Sequence, residues 1–172
     1  MPGLLLIYTG NGKGKTTAAL GLSLRALGHG LKVGFLQFMK GSSDYGEVRM
    51  ASRLPGFELV QCGRDSFVNP TAPDPLDIAL AEAGLQFAET WFNKAAFNLI
   101  VLDEILVACA YGLLSVEEVQ NLLAHRPSTT DVVLTGRYAP EKLIQLADTV
   151  TVMNERRHAY MRGAQAKAGM EF

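Results

Sequence analysis

Thr9-Gly10-Asn11-Gly12-Lys13-Gly14-Lys15-Thr16-Thr17 is the stretch on which the reading of this chain turns. Before it runs Gly3-Leu4-Leu5-Leu6-Ile7-Tyr8, a continuous apolar run typical of a strand buried on both faces. After it, Thr16 to Leu27 is rich in Ala and Leu and reads as a helix, stopped by Gly28-His29-Gly30. Strand, glycine-rich loop and helix in that order are the setting of a phosphate-binding loop. Gly10, Gly12 and Gly14 let the backbone curl so that successive N–H groups face an anion, and the helix adds its positive end. Lys15 supplies a compact charge for phosphate oxygens, and the Thr16 hydroxyl is placed to ligate Mg²⁺. The usual G-x-x-x-x-G-K-T spacing puts Thr9 where the first glycine stands. The dinucleotide fingerprint G-x-G-x-x-G, counted from Gly10, meets Lys15 at its third glycine, which argues against a hydride-transfer site.

Outward from the loop, strand-like and helix-like segments alternate. Lys32–Phe38 and Phe57–Gln61 read as strands, and residues 62–75 as a proline-punctuated loop. Asp74-Pro75 opens a long helix with the expected apolar stripe Leu76, Leu80, Ala83, Phe87, Trp91. Asn98–Asp103 is a further apolar strand. Ser115-Val116-Glu117-Glu118 is a capping box, with Leu114 and Val119 placed as a staple. Asp131–Thr135 and Thr149–Met153 are two more strands around a helix that starts near Pro140. The fold expected is α/β: a P-loop NTPase-like (RecA-like) three-layer sandwich on a mostly parallel sheet of five or six strands. Residues 1–172 read as one nucleotide-binding domain, with 156–172 as an irregular C-terminal tail.

Leu99-Ile100-Val101-Leu102-Asp103-Glu104 supports the loop. In P-loop proteins such an Asp, at the carboxyl end of a neighbouring strand, helps hold Mg²⁺. Glu104 can orient a water or join the metal site. Charge divides accordingly. Residues 1–50 carry six Lys/Arg against two Asp/Glu, residues 51–150 six against thirteen, and residues 151–172 four against two. The overall net charge of −1 argues against a nucleic-acid coat or a polybasic membrane anchor. Cys62 and Cys109 cannot form a disulfide framework or a four-ligand zinc site by themselves; they read as small core fillers in a reducing, cytoplasmic protein. No signal peptide or membrane span is expected.

The chain resembles the P-loop family of corrinoid, or cob(I)alamin, adenosyltransferases. The residues that carry the resemblance are Thr9–Thr17, Arg25–Gly30, Gln37–Gly41, Val101–Glu104, Leu134-Thr135-Gly136-Arg137 and the tail block Gly163–Glu171. A Thr at the first-glycine position is the form this family uses. The resemblance implies transfer of the 5′-deoxyadenosyl group of ATP to Co(I) of a reduced corrinoid, with triphosphate as leaving group. It implies that ATP lies in the loop in the sense opposite to that of hydrolytic P-loop proteins. It also implies Mg²⁺ or a similar divalent ion, a homodimer, and a reductase or flavoprotein as electron donor.

On this reading Thr9, Gly10, Asn11, Gly12, Lys13, Gly14, Lys15, Thr16, Thr17 and Arg137 hold the nucleotide. Thr16, Asp103 and Glu104 hold the metal, with Lys15 and Glu104 nearest the chemistry. Phe67 and His158 are candidates for the corrinoid. Two positions depart from the family pattern: Ser66-Phe67-Val68-Asn69 keeps only the Phe of a Phe-Thr-Trp loop, and Val152 stands where a Glu is common. Two rival classes follow from the generic motifs: an ATPase or small-molecule kinase working through Glu104, and a non-catalytic nucleotide- or corrinoid-binding protein.

Overall fold

A computed structural model describes residues 1–172. The strands are β1 (Leu5–Thr9), β2 (Val33–Phe38), β3 (Phe57–Cys62), β4 (Leu99–Asp103), β5 (Asp131–Thr135) and β6 (Thr149–Val152). The helices are α1 (Lys15–Gly28), α2 (Gly46–Ala51), α3 (Pro75–Lys94), α4 (Ile105–Ala110), α5 (Val116–Ala124) and α6 (Glu141–Ile144). All six strands are parallel, in the order β3-β2-β4-β5-β1-β6.

The period of two sorts the apolar residues into two cores. Val33, Phe35, Leu99, Val101 and Val133 face α1 with Ala19 and Ala26. Leu36, Phe38, Ile100, Leu102, Val132 and Leu134 face the other way, onto residues of α3, α4, α5 and α6. A strand covered on both faces has no polar side, which is why β2 and β4 are apolar except for Gln37 and Asp103 near their carboxyl ends. The sheet is thus the middle of three layers. No helix is long and apolar enough to cross a membrane.

Three expectations need correction. First, β4 is not the neighbour of β1, because β5 lies between them. Asp103 therefore reaches the phosphate loop across the end of an intervening strand. Second, the buried line of α3 is Asp77, Ala81, Gly84, Ala88, Trp91 and Phe92, while Leu76 and Ala83 are exposed. The helix has rotated to set its smallest residues on the sheet, where a Cβ on Gly84 would stand 2.9 Å from both Cys62 Cβ and Phe38 Cε1. Asp77 tolerates burial because Arg64 grips it with two hydrogen bonds of 2.7 Å. Third, α2 and α4 were not expected as helices. Six residues each are too few to display a helical period.

The caps form as read. Asp74 accepts the Leu76 N–H at 2.8 Å ahead of Pro75. Ser115 and Glu118 cap each other reciprocally at the start of α5. After Arg156 the tail holds only a 3₁₀ turn at Tyr160–Arg162 and a few isolated turns.

Backbone strain gathers at the carboxyl edge of the sheet. Met39, Glu104 and Tyr138 have left-handed φ of 60°, 63° and 61°, and each lies within three residues of the end of β2, β4 or β5. Such conformations cost on the order of 1 kcal/mol or more apiece and concentrate where side chains must be aimed.

Packing of α3 gives a test. Gly84→Val should destabilise the protein by roughly 1–3 kcal/mol in urea unfolding. Gly21→Ala, on an exposed helical face with nothing within 4 Å, should leave stability unchanged or raise it. Equal midpoints for the two variants would refute the close approach of α3.

Candidate active site

α1 begins at the loop with Gly14 as N-cap, at φ 112°, and no side chain caps it. Its first-turn N–H groups have no partner within the helix. Asn11, Gly12, Lys13, Gly14, Lys15, Thr16 and Thr17 line a cavity of about 950 Å³. Thr9 and Gly10 do not line it. Thr9 is buried, and its Oγ1 accepts the Ala139 N–H at 3.4 Å. Gly10, at φ 99°, is pressed against Met153, whose carbonyl oxygen would stand 2.4 Å from an added Cβ. The Gly12 N–H points away from the cavity and donates to Met153 O at 2.7 Å, so it is not one of the inward amides expected there. β6 and the residues after it thus form the back wall of the loop.

Lys15 Nζ donates to Gly10 O at 2.8 Å and Gly12 O at 2.7 Å, folded into the space that an anion would occupy. Burial lowers the Lys15 pKa, and Arg137 adds to that, against the pull of Glu104 and Asp103. An arriving anion would reverse the balance.

Beneath the loop lies a polar network centred on Asp103, which is 0% exposed. Its Oδ1 accepts from Thr16 Oγ1 at 2.9 Å and Thr135 Oγ1 at 2.6 Å. Its Oδ2 accepts from Lys40 Nζ at 2.8 Å and Gln37 Nε2 at 3.3 Å. Gln37 continues to Glu47, and Gln61 donates to Gln37 at 3.0 Å. Burial pulls the Lys40 ammonium down, but Asp103, Glu104 and Glu47 more than reverse this and raise it.

Glu104 faces the cavity at the start of α4, its N–H donated to Thr135 Oγ1 at 2.9 Å. Burial, then the Asp103 charge, holds its carboxyl above the usual range. No three His, Cys, Asp or Glu side chains converge to hold a metal ion. The donors near the loop are instead one hydroxyl, Thr16, whose proton goes to Asp103, and one carboxylate, Glu104. That set fits Mg²⁺, which is commonly held by one or two protein ligands plus substrate phosphates.

The cavity runs from this polar end to an apolar wall of Leu20, Leu24 and Leu27 of α1 with Met50, Leu54 and Phe57. Phe67 stands on its rim, fully exposed, and Arg137 and His158 line it too. The tail folds back over the loop: Lys13 Nζ donates to Met170 O at 2.6 Å and pairs with Glu171 at 2.5 Å.

The sequence profile of a family described as ATP:corrinoid adenosyltransferase BtuR/CobO/CobP matches residues 1–172. A corrinoid adenosyltransferase of Pseudomonas aeruginosa is 40% identical over 170 residues, 99% of this chain and 84% of that protein. One from Escherichia coli K12 is 37% identical over 99% of this chain and 86% of its own length. The corrinoid adenosyltransferase CobA of Salmonella typhimurium has the same identity and coverage. The chain belongs to this family.

As a corrinoid adenosyltransferase family member it is a transferase, and its site contains residues to which sequence reasoning gave no role. Gln37, Lys40 and Thr135 stood inside the blocks Gln37–Gly41 and Leu134–Arg137, which was their only signal. Glu47 and Gln61 had none. Arg25, which opens the block Arg25–Gly30, is exposed on α1 and outside the cavity lining. Val152 lies exposed at the end of β6. Trp91 is buried against Phe87 and Phe97, away from the cavity lining, and cannot serve for the missing loop Trp. Cys109 is pushed up to about 12 by burial and by Glu118, and Cys62 is raised by burial, so both thiols stay protonated near neutrality.

Glu104 sets a pH dependence. An acid with a raised pKa in the folded state contributes stability at low pH that is lost as pH rises through its folded value. Glu104→Gln should therefore melt at a higher temperature than the parent at pH 8 without ligands. The gap should close as pH falls below the ordinary carboxyl value of 4.5. A gap that widens toward acid would show the burial argument to be wrong.

Proposed function

We propose that the chain transfers the 5′-deoxyadenosyl group of ATP to Co(I) of a reduced corrinoid and releases triphosphate. One observation carries the reading beyond family membership: a single cavity joins an uncapped phosphate-binding helix end to an apolar wall. Hydrolysis or phosphoryl transfer to a small hydroxyl needs no such wall. A corrin macrocycle with a purine nucleoside does.

Co(I) is itself a strong nucleophile, so the protein supplies no base. Its lone pair attacks C5′, a Co–C bond forms, the C5′–O bond breaks, and the electron pair leaves with the triphosphate. The residues have two tasks. They hold C5′ in line with cobalt at about 3 Å, and they stabilise the charge of the departing chain. Lys13, Lys15, Arg137 and the α1 amides supply that charge from Asn11–Thr17, with Thr9 and Gly10 shaping the turn behind them. The nucleotide lies with its ribose toward the apolar wall. Thr16 and Glu104 would hold Mg²⁺, with Asp103 fixing Thr16; when bound, the ion screens the triphosphate and favours its departure. Phe67 and His158 line the corrinoid rim, where a dry aromatic face lowers the cost of removing cobalt's lower ligand before reduction.

The working protein on this reading is a cytoplasmic homodimer whose single-domain subunits receive electrons from a reductase or flavoprotein. A second subunit would help cover a substrate larger than the loops and tail of one chain.

The test is conversion of cob(I)alamin with ATP and Mg²⁺, followed in the visible spectrum. Adenosylated product and inorganic triphosphate are expected; ADP with phosphate would favour an ATPase or kinase instead. Lys15→Ala should lower kcat/KM by about 10²–10³. A loss of ATP affinity in Lys15→Ala, with no turnover by the parent protein either, would favour the binding-protein reading. Phe67→Ala should slow turnover more with enzymatically reduced than with chemically reduced corrinoid. Turnover unchanged from the parent with both would remove Phe67 from the site.

A further inference from the structure

We propose that Lys40 is a built-in counter-cation of the acid cluster, seated where it competes with the divalent ion and is driven off Asp103 when that ion binds. This rests on the metal reading given above. Lys40 lies two residues beyond β2, and the left-handed Met39 turns the chain back so that its ammonium reaches Asp103. The turn is held from behind. Met39 N–H donates to Cys62 O at 3.1 Å, and a Cβ on Gly63 would stand 2.4 Å from Lys40 N. Lys40 is therefore aimed by backbone packing rather than left to search.

Three facts define what it does there. Asp103 has no exposed surface, and Lys40 Nζ is its one formally charged donor; the other three are Thr16, Thr135 and Gln37. A buried carboxylate without a cation is strongly unfavourable, so the ligand-free fold needs this ammonium. Lys40 also lines the cavity beside Glu104, its ammonium 5.5 Å from the centre of the Tyr45 ring. The ammonium thus lies over the Tyr45 ring while it bonds Asp103, and that ring contact does not depend on the carboxylate. A doubly charged ion on Thr16 and Glu104 would neutralise the same acids and repel the ammonium. The two cations are alternatives, and exchange lets the site stay balanced both empty and loaded.

Mn²⁺ alone is the probe, with free ion counted by electron paramagnetic resonance in the nucleotide-free protein. Lys40→Met should bind Mn²⁺ at least about tenfold more tightly than the parent. Lys40→Arg, which keeps the charge, should bind it as the parent does. Lys40→Met should also melt lower than the parent in chelator and regain more of its melting temperature when Mn²⁺ is added. This second readout serves even if the variant is only marginally folded. Parent-like Mn²⁺ affinity in Lys40→Met, or a loss of stability that Mn²⁺ does not repair, overturns the proposal. Parent protein that takes up no Mn²⁺ even with ATP present would instead overturn the metal reading, and the exchange with it.

Discussion

The Asp103 carboxylate never meets water, and the carboxyl edge of the sheet is arranged around that constraint. Four donors reach it from four places: Thr16 on α1, Gln37 on β2, Lys40 beyond β2, and Thr135 at the end of β5. Each donor fixes the element that carries it. Thr16 ties the first turn of the phosphate-loop helix to β4. Thr135 also receives the Glu104 N–H, and so helps hold a left-handed turn that would otherwise relax. Removing the carboxylate would uncouple the loop, the turn into α4 and the β2 edge at once. The binding surface is therefore a property of the sheet's buried polar ladder as much as of the loop that touches ligand.

The placement of β5 between β1 and β4 makes this possible. The intervening strand supplies Thr135, which joins Asp103 to the Glu104 N–H beneath the loop. The cores on either side perform a different task. They leave the strands no freedom to slide, so the ends of β1, β2, β4 and β5 stay in register.

Much of this was legible in the sequence, for identifiable reasons. The loop was readable because its glycines, lysine and threonine are contiguous, and backbone geometry at Gly10 and Gly14 admits few alternatives. Asp103 was readable because an acid ends an apolar run. The stripe of α3 was misread by one position because side-chain size was taken for burial. The face that packs closest is the one with Ala81, Gly84 and Ala88, which look unremarkable in one dimension. The β1–β4 gap was unreadable because strand order depends on crossovers, which leave no local mark. Lys40 and Gln37 were missed as partners of Asp103, and Glu47 as the acceptor behind Gln37, for a related reason. Sixty-odd residues separate Lys40 and Gln37 from that carboxylate, and only parallel pairing of β2 with β4 brings them beside it.

The contact between Lys13 and Glu171 has a consequence for how occupancy of the loop is controlled. The two residues are 158 positions apart in sequence, yet their charged ends touch. A carboxylate delivered by the fold is present at an effective concentration set by the chain itself, independent of what is dissolved outside. On the proposed function, a triphosphate reaching Lys13 would compete with this tethered anion, and its affinity would be the intrinsic one reduced by the time the tail spends seated. The same competition works in reverse. On that reading, as triphosphate departs, an anion already attached to the protein would take over the exposed Lys13 charge and ease the release of the product.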